Sequence, residues 1–453
     1  MAKDKLTDYD PVASNNQDLG GISVAEGMLP SGVNNAIREQ MSHLADFAAG
    51  NSGVDVLKLQ DNTDTNSIKL QAPASVTADT TFTLPDGDGS ADQVLKTDGS
   101  GQLDWVAQTA VTPNPSLIIN GNMACSQRGT QTNQTSAYTA CDRWNFIESG
   151  STVITTSQST DTPASQGFAN SLKVNVTTDS GTPSASHYAI IRQKLEGQDL
   201  QHLLYGTSSA KKITLSFWVK SPKTGKQYVE LYHTDAAYHN QQSYTIAAAD
   251  TWQYVSLTYN GYETTAFDND NGNSLMIQYW LMAGSDYTSG TATENTWHNT
   301  NANRFSGLVN VVDNTANNWH ITGVKLEVGS TATPFDHSRS FSEELALCHR
   351  YYYSIQGATG QSPEYFGYAY GGTSHVIFVP FLTQMRASPS LSTAGTITGR
   401  NSTNTADSSI SVEANVSCRD SASIVVRNLT ATQGTPSRIE LGATGQLNFS
   451  AEL

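Results

Sequence analysis

Between Ile321 and Tyr353 the chain reads ITGVKLEVGSTATPFDHSRSFSEELALCHRYYY, and its hydrophobic period changes partway along. Ile321, Val324, Leu326 and Val328 are apolar, with polar residues between most of them, as in a half-buried strand. Gly329 and Ser330 end that strand, and Pro334 cannot extend it. Ser340 is followed three residues later by Glu343, the spacing of a helix capping box. Phe341, Leu345, Cys348 and Tyr352 follow at steps of four, three and four, which puts them on one helical face. Arg350 falls in the last turn, where a cation suits the helix dipole. A β-rich region therefore closes here, a short helix crosses, and a second β-rich region opens.

The first β-rich region runs from Ser116 to Phe335. Ile213, Leu215, Phe217 and Val219 alternate with Thr214, Ser216 and Trp218, which implies sheets with one face buried. The number and length of such runs suit a two-sheet jelly roll. Trp218, Trp252, Trp280 and Trp319 lie in strands and read as core. The second region, Tyr351 to Leu453, carries the signals of six to eight strands and reads as a small β-sandwich. Pro380 marks an edge strand or a bend there.

Ahead of both regions the chain is thin in apolar residues. Val33, Ile37, Met41, Leu44 and Ala48 recur at helical steps, with Ser31 as the expected N-cap and Gly50 past the last turn. A lone helix of this length is marginal in water, so its stripe calls for partners. From Asn51 to Gln108 come short alternating pieces around Ile68, Leu70, Phe82, Leu84, Val94, Leu95, Leu103 and Trp105. Asp86-Gly87, Asp88-Gly89 and Asp98-Gly99 supply hairpin turns between them. One good apolar side chain per few residues is too little for an isolated core. Winding three copies round one axis supplies what is missing. Thr112-Pro113-Asn114-Pro115 then breaks the chain.

Charged residues make up only 15% of the 453 residues, and 41 acidic against 25 basic side chains leave a formal charge of −16. Such a surface repels phosphate backbones, which argues against nucleic acid as a partner. Cys125, Cys141, Cys348 and Cys418 have no short paired spacing, so neither a disulfide framework nor a zinc site is expected. The start, MAKDKLTDYD, does not read as a signal peptide, and no apolar run reaches bilayer length. In Phe267 to Asn273, FDNDNGN, Gly272 stands where an EF-hand needs an oxygen ligand, so a solvated loop is expected. No nucleophile-elbow, zincin or phosphate-loop pattern occurs. Neither a cofactor nor a metal is called for.

Four stretches carry a family resemblance. GVKLEVGSTATPFDHSRSFSEELALCHRYYY is similar to the juncture in many bacteriophage tail-fibre proteins where a jelly roll gives way to a helix. SLIINGNMACSQRGT with CDRW (Cys141 to Trp144) resembles their first sandwich strand and loop, and FLTQMRASPS resembles their C-terminal domain. DYDPVASNNQDLGGISVAEGMLPSGVNNAIREQM resembles the attachment segment of marine podovirus and siphovirus fibres. The resemblance implies a homotrimeric virion protein of the tail, assembled in the host cytoplasm and not inserted in a membrane. It implies residues 1–50 as a segment docking on a tail adaptor, nozzle or baseplate protein, with Val33, Ile37, Met41 and Leu44 serving docking or trimerisation. Residues 51–112 would be a trimeric β-shaft. Residues 113–340 would be a jelly roll like a carbohydrate-binding module, and 341–453 the connecting helix and a receptor-binding β-domain.

The activity so implied is adhesion to a host surface glycan or outer-membrane protein, without catalysis. Flat rings and amides in polar loops suit sugars, which singles out Tyr238, His239, Trp297, His298 and Tyr365. Two other readings stand beside it: a tailspike enzyme that cleaves polysaccharide, and a purely structural fibre of the head or neck.

Overall fold

The structure is a computed structural model that describes residues 8–10, 12–25, 27–49, 56–60, 66–71, 75, 78, 80–91, 93–107 and 114–453. Gly50 and the Thr112-Pro113 break lie outside the described residues. The chain is mainly β and divides into two compact units, Met1–Thr109 and Ala110–Leu453.

In the first unit a small hairpin, β1 (Asp18–Leu19) with β2 (Ile22–Ser23), precedes α1 (Pro30–Ala48). Ser31 does not cap this helix. The N-cap is Leu29, without a side-chain bond, and Pro30 takes the first helical position. Proline's fixed φ and missing N–H suit that position, so the start moves two residues earlier than the serine suggests. Ala36 and His43 are buried, and the Tyr9 hydroxyl bonds His43 Nδ1 at 2.8 Å. Val33, Ile37, Met41, Leu44 and Phe47 remain 43–64% exposed. Two antiparallel hairpins follow, β3 (Val56–Gln60) with β4 (Ser67–Gln71), and β5 (Gln93–Thr97) with β6 (Leu103–Ala107). Leu59, Leu70, Phe82, Leu84, Val94 and Leu95 are all exposed. Two-stranded ribbons with apolar side chains in water are unstable by themselves.

The second unit opens with a sandwich of two antiparallel six-stranded sheets. Its strands are β7 (Gln131–Gln134), β8 (Ala137–Tyr138), β9 (Asn145–Ser149), β10 (Val153–Ser159), β11 (Ser171–Thr178) and β12 (Tyr188–Glu196). Then come β13 (Ile213–Lys220), β14 (Gly225–His233), β15 (Tyr238–Ile246), β16 (Gln253–Tyr259), β17 (Asn273–Ala283) and β18 (Asn318–Val328). One sheet runs β16-β13-β18-β11-β10-β7 and the other β15-β14-β17-β12-β9-β8. Inward residues of both sheets form one core around Trp144, Phe217, Tyr279 and Trp319. A helical turn, α2 (Ser285–Thr288), starts the long segment between β17 and β18.

Helix α3 (Phe341–His349) carries the capping box: Ser340 Oγ accepts from Glu343 N–H, and Ser340 N–H donates to Glu343 Oε2 at 2.7 Å. Its buried side differs from the one the spacing suggests. Phe341 is exposed, Tyr352 lies beyond the helix, and Glu344 and Cys348 are the buried pair. Glu344 accepts from the Asn120 backbone N–H and pairs with Arg339 at 3.4 Å, so a charge turns inward because partners wait there.

A second sandwich follows. Its strands are β19 (Tyr352–Gln356), β20 (Glu364–Gly371), β21 (Ser374–Pro380), β22 (Ser390–Ala394), β23 (Ile397–Arg400), β24 (Ala406–Asp407), β25 (Ser411–Ser417), β26 (Ser421–Arg427), β27 (Pro436–Leu441) and β28 (Gln446–Ser450). They form a three-stranded sheet, β19-β28-β22, and a seven-stranded sheet, β24-β23-β27-β20-β21-β26-β25. That is ten strands where six to eight were expected, because the short polar ones carry little apolar signal. Strand β21 is interior, and Pro380 ends it.

The two sandwiches are bolted together by charge. Arg128 and Arg143 both pair with Glu452, and Arg128 also with Asp142 at 3.2 Å. The two guanidiniums lie over the rings of Tyr352 and Tyr351, at 3.5 and 3.4 Å from the centroids. Arg350 grips Glu196 through two bonds, of 2.9 and 2.6 Å. The FDNDNGN loop is part of this seam: Asn271 Nδ2 donates to Arg386 O, and Arg386 Nη1 donates to Asn271 O.

Candidate functional site

The alternation of β13 that sends Phe217 and Val219 into the core sends Ser216, Trp218 and Lys220 to the outer face of their sheet. Trp218 is the register partner of Tyr254 on β16, and their ring centroids lie 5.3 Å apart at 52°. Tyr254 is 46% exposed and Trp218 half-buried, so the pair forms an aromatic floor in reach of solvent.

A wall rises beside it. Phe168 meets Phe335 edge-on at 5.1 Å, and His337 packs 4.9 Å from Phe168 and 5.0 Å from Phe335. Room for Phe168 comes from Gly323, which has φ +62 where the register of β13 on β18 shifts. A Cβ there would sit 2.6 Å from the Phe168 ring. Floor and wall enclose a cavity of about 510 Å³, edged by Ser165, Gln166 and Ser216.

What holds the wall lies beneath it. Lys325 and Glu327 point to the same outer face of β18 yet are fully buried, 3.2 Å apart. Lys325 Nζ donates to Thr333 Oγ1 and, at 2.9 Å, to Pro334 O. Glu327 accepts from Thr333 N–H at 2.7 Å and from the Thr333 hydroxyl at 2.6 Å. The strap carrying Phe335 and His337 is thus tied down by charge. On the other flank Asp161 binds Lys220, and Trp252 Nε1 donates to Asp161 Oδ1 at 3.0 Å. Burial pulls the Asp161 pKa up, but these two donors outweigh it and hold the carboxyl below its usual range.

The residues singled out from sequence fall elsewhere. Tyr238, His239, Trp297 and His298 do come together, beside edge strand β15 of the other sheet. His239 and His298 bridge through their backbones, and Tyr262 stands 5.3 Å from both Tyr238 and Trp297. Their polar ends are already engaged: Trp297 Nε1 donates to Asn260 O at 2.8 Å, and His298 Nε2 contacts Gln241 Oε1 at 3.0 Å. His239 is buried against Glu230, which also forks Arg304. Tyr365 lies in the second sandwich, turned toward that sandwich's core. Of the four tryptophans read as strand core, Trp280 and Trp319 are buried in strands, Trp218 is half-buried on the outer face, and Trp252 lies half-buried just ahead of β16 rather than in it.

Two histidines make stability depend on acidity. Burial holds the pKa of His239 down to about 4, with Arg304 adding and Glu230 opposing. Burial, aided by Lys220, does the same for His320, also to about 4. Both are neutral in the folded state at pH 7, while an unfolded chain takes up protons near 6.5. The unfolded state therefore binds more protons between pH 6.5 and 4, and stability falls as pH falls through that window. Melting curves at several pH values should show a shallower loss for a His239→Gln/His320→Gln variant than for the parent. An equal slope would count against both assignments.

No family model matches this chain, and no curated protein matches it. Among solved structures, it is similar to the enzymatically active domain of tailspike protein 4 of bacteriophage CBA120, at 13% identity and a TM-score of 0.27. That match covers 47% of this chain and only 21% of the tailspike chain. It is also similar to the family 11 carbohydrate-binding module of Clostridium thermocellum, at 13% identity and a TM-score of 0.22, covering 42% of this chain and 91% of that one. Likenesses of this size bear on neither activity nor ligand.

Proposed function

We propose that this protein is a phage tail fibre: a homotrimer that docks on the tail through the first unit and holds a host surface glycan on the Trp218–Tyr254 floor, without cleaving it. The observation that carries the reading is that floor, with the wall of Phe168, Phe335 and His337 beside it. Aromatic rings at an open cavity with a few polar groups at its edge suit a sugar ring, which stacks its C–H face and bonds through its hydroxyls. The sequence resemblance supplies the setting. The uncovered stripe of Val33, Ile37, Met41 and Leu44 and the bare hairpins fit association of copies. Three weak sites on one stalk gain effective concentration without new contacts.

The test has two arms. Sedimentation equilibrium of the full chain should give three copies; a single copy would end the fibre reading. Binding to an array of bacterial surface polysaccharides should give retention without shortening of the chains. Trp218→Ala should weaken it by roughly 30-fold, as loss of an anchor ring of about 2 kcal/mol implies. Unchanged binding in Trp218→Ala and Tyr254→Ala would remove the floor from the reading, and shortened chains would make the protein a hydrolase.

A further inference from the structure

The seven-stranded sheet of the second sandwich turns one face outward, and one cross-strand rung of that face carries an unusual set. Arg400 on β23 is the partner of Arg438 on β27, and Arg438 is the partner of Phe366 on β20. Two guanidiniums thus stand side by side on adjacent strands, next to a phenyl ring that is 63% exposed. Like charges directly opposite each other in a sheet are destabilising. The neighbouring rung, Thr398–Glu440–Glu364, offsets part of this: Glu440 Oε1 accepts from Arg400 Nε at 2.5 Å and from Arg438 Nε at 3.0 Å.

On the side of the rung away from those acids lies a cavity of about 240 Å³. It is lined by Phe366, Arg400, Asn401, Asn404, Pro436 and Arg438 together with two serines, and by no acidic residue, in a chain of net charge −16. The loop that closes it is pre-formed. Asn401 Oδ1 accepts from Thr403 N–H, the Thr403 hydroxyl and Thr405 N–H, at 3.1, 2.8 and 3.0 Å, and its amide donates to Thr430 O at 2.8 Å. Asn404 adopts a left-handed φ of +62, accepts from Arg400 through its backbone carbonyl and accepts from Arg438 through Oδ1. Arg400 Nη2, Arg438 Nη1 and Asn404 Nδ2 are left without partners among the described residues. The unspent groups are all donors, and two of them are cationic.

We infer that this cavity binds the carboxylate of an acidic sugar, a uronic acid unit of a polysaccharide, with the sugar ring on Phe366. The two guanidinium ends and the Asn404 amide take the carboxylate and a neighbouring hydroxyl, since a fixed guanidinium fork suits a carboxylate. Phe366 supplies the stacking face. Tyr368 and Tyr370 follow it at every second residue of β20, both exposed, and extend the surface for further units of the chain. The site lies on a different sandwich from the Trp218–Tyr254 floor and stands or falls separately.

The test is calorimetric titration of the full chain with an oligogalacturonate and with a neutral maltooligosaccharide of equal length. Preference for the polyuronate is expected, weakening as salt rises from about 50 to about 500 mM. Phe366→Ala and Arg438→Gln should each cost at least about tenfold in affinity. Phe366→Ala changes an exposed ring and should leave the melting temperature where it was, so its result stands even if the arginine variant loosens the loop. Equal affinity for the neutral chain, or no loss in either variant, would overturn the assignment. Loss in Trp218→Ala instead would move the polyuronate to the first sandwich. A change in sedimenting mass with Phe366→Ala would make this face a contact between copies.

Discussion

Lys325→Met is expected to destabilise the second unit by about 3–5 kcal/mol, the usual cost of leaving one partner of a buried ion pair behind. Glu327 has no water to turn to, since both side chains are fully buried. The loss should be read by denaturant titration of the full chain, followed through tryptophan fluorescence. Lys325→Met/Glu327→Leu should recover only part of it. Thr333 N–H and its hydroxyl then lose their acceptor, and an unmade buried hydrogen bond costs about 1–3 kcal/mol. The same variants test whether the strap positions the wall. Phe335 and His337 should become mobile, and glycan retention should fall with them, although no mutated residue touches the cavity. A Lys325→Met protein of unchanged stability would mean that this charge pair is dispensable.

The second large effect is expected at the seam between the sandwiches. Glu452 is 4% exposed and serves both Arg143, at 2% exposed, and Arg128. Glu452→Leu leaves the Arg143 guanidinium buried with only Lys194 O and the Tyr351 ring for company. A cost of about 3–5 kcal/mol is expected again. Its location is the more telling readout. Hydrogen exchange should quicken first in β19 and β28, which carry Tyr352 and border Glu452, while the core strands β13 and β17 keep their protection. Uniform quickening would show that the two sandwiches open as one body.

The parts of this fold that were readable in the sequence are those set by neighbours along the chain. The capping box of α3 is one, because Ser340 and Glu343 need only each other. The alternation of β13 is another: it sets Trp218 against the core residues, and the reading of Trp218 as core, made from its residue type alone, is overturned. Tyr365 and Phe366 show how narrow the margin is: with a period of two, one residue separates a ring packed inward from a ring in solvent. The candidate site was less legible because it is assembled across the chain. Phe168 and Phe335 are far apart in sequence, and what joins them is a left-handed glycine and a buried lysine. The run GVKLEVGSTATPF holds Lys325, Glu327, Thr333, Pro334 and Phe335, which in the structure are the charge network and the ring it fixes. That role belongs to contacts, so no count of apolar residues could have revealed it. The outward stripe of α1 was legible, since its own segment covers only Ala36 and His43.

The Glu452 seam also bears on the timing of synthesis. Arg143 and its acid partner are 309 residues apart in the chain, and Arg128 and the same acid 324. A ribosome delivers the cationic half of the lock long before the anionic half. During that interval Arg143 lacks its carboxylate and Arg128 has only Asp142, so the seam closes after the residue that follows β28 by two has been made. Contacts of such long range form slowly, which makes the nascent protein a candidate for chaperone capture.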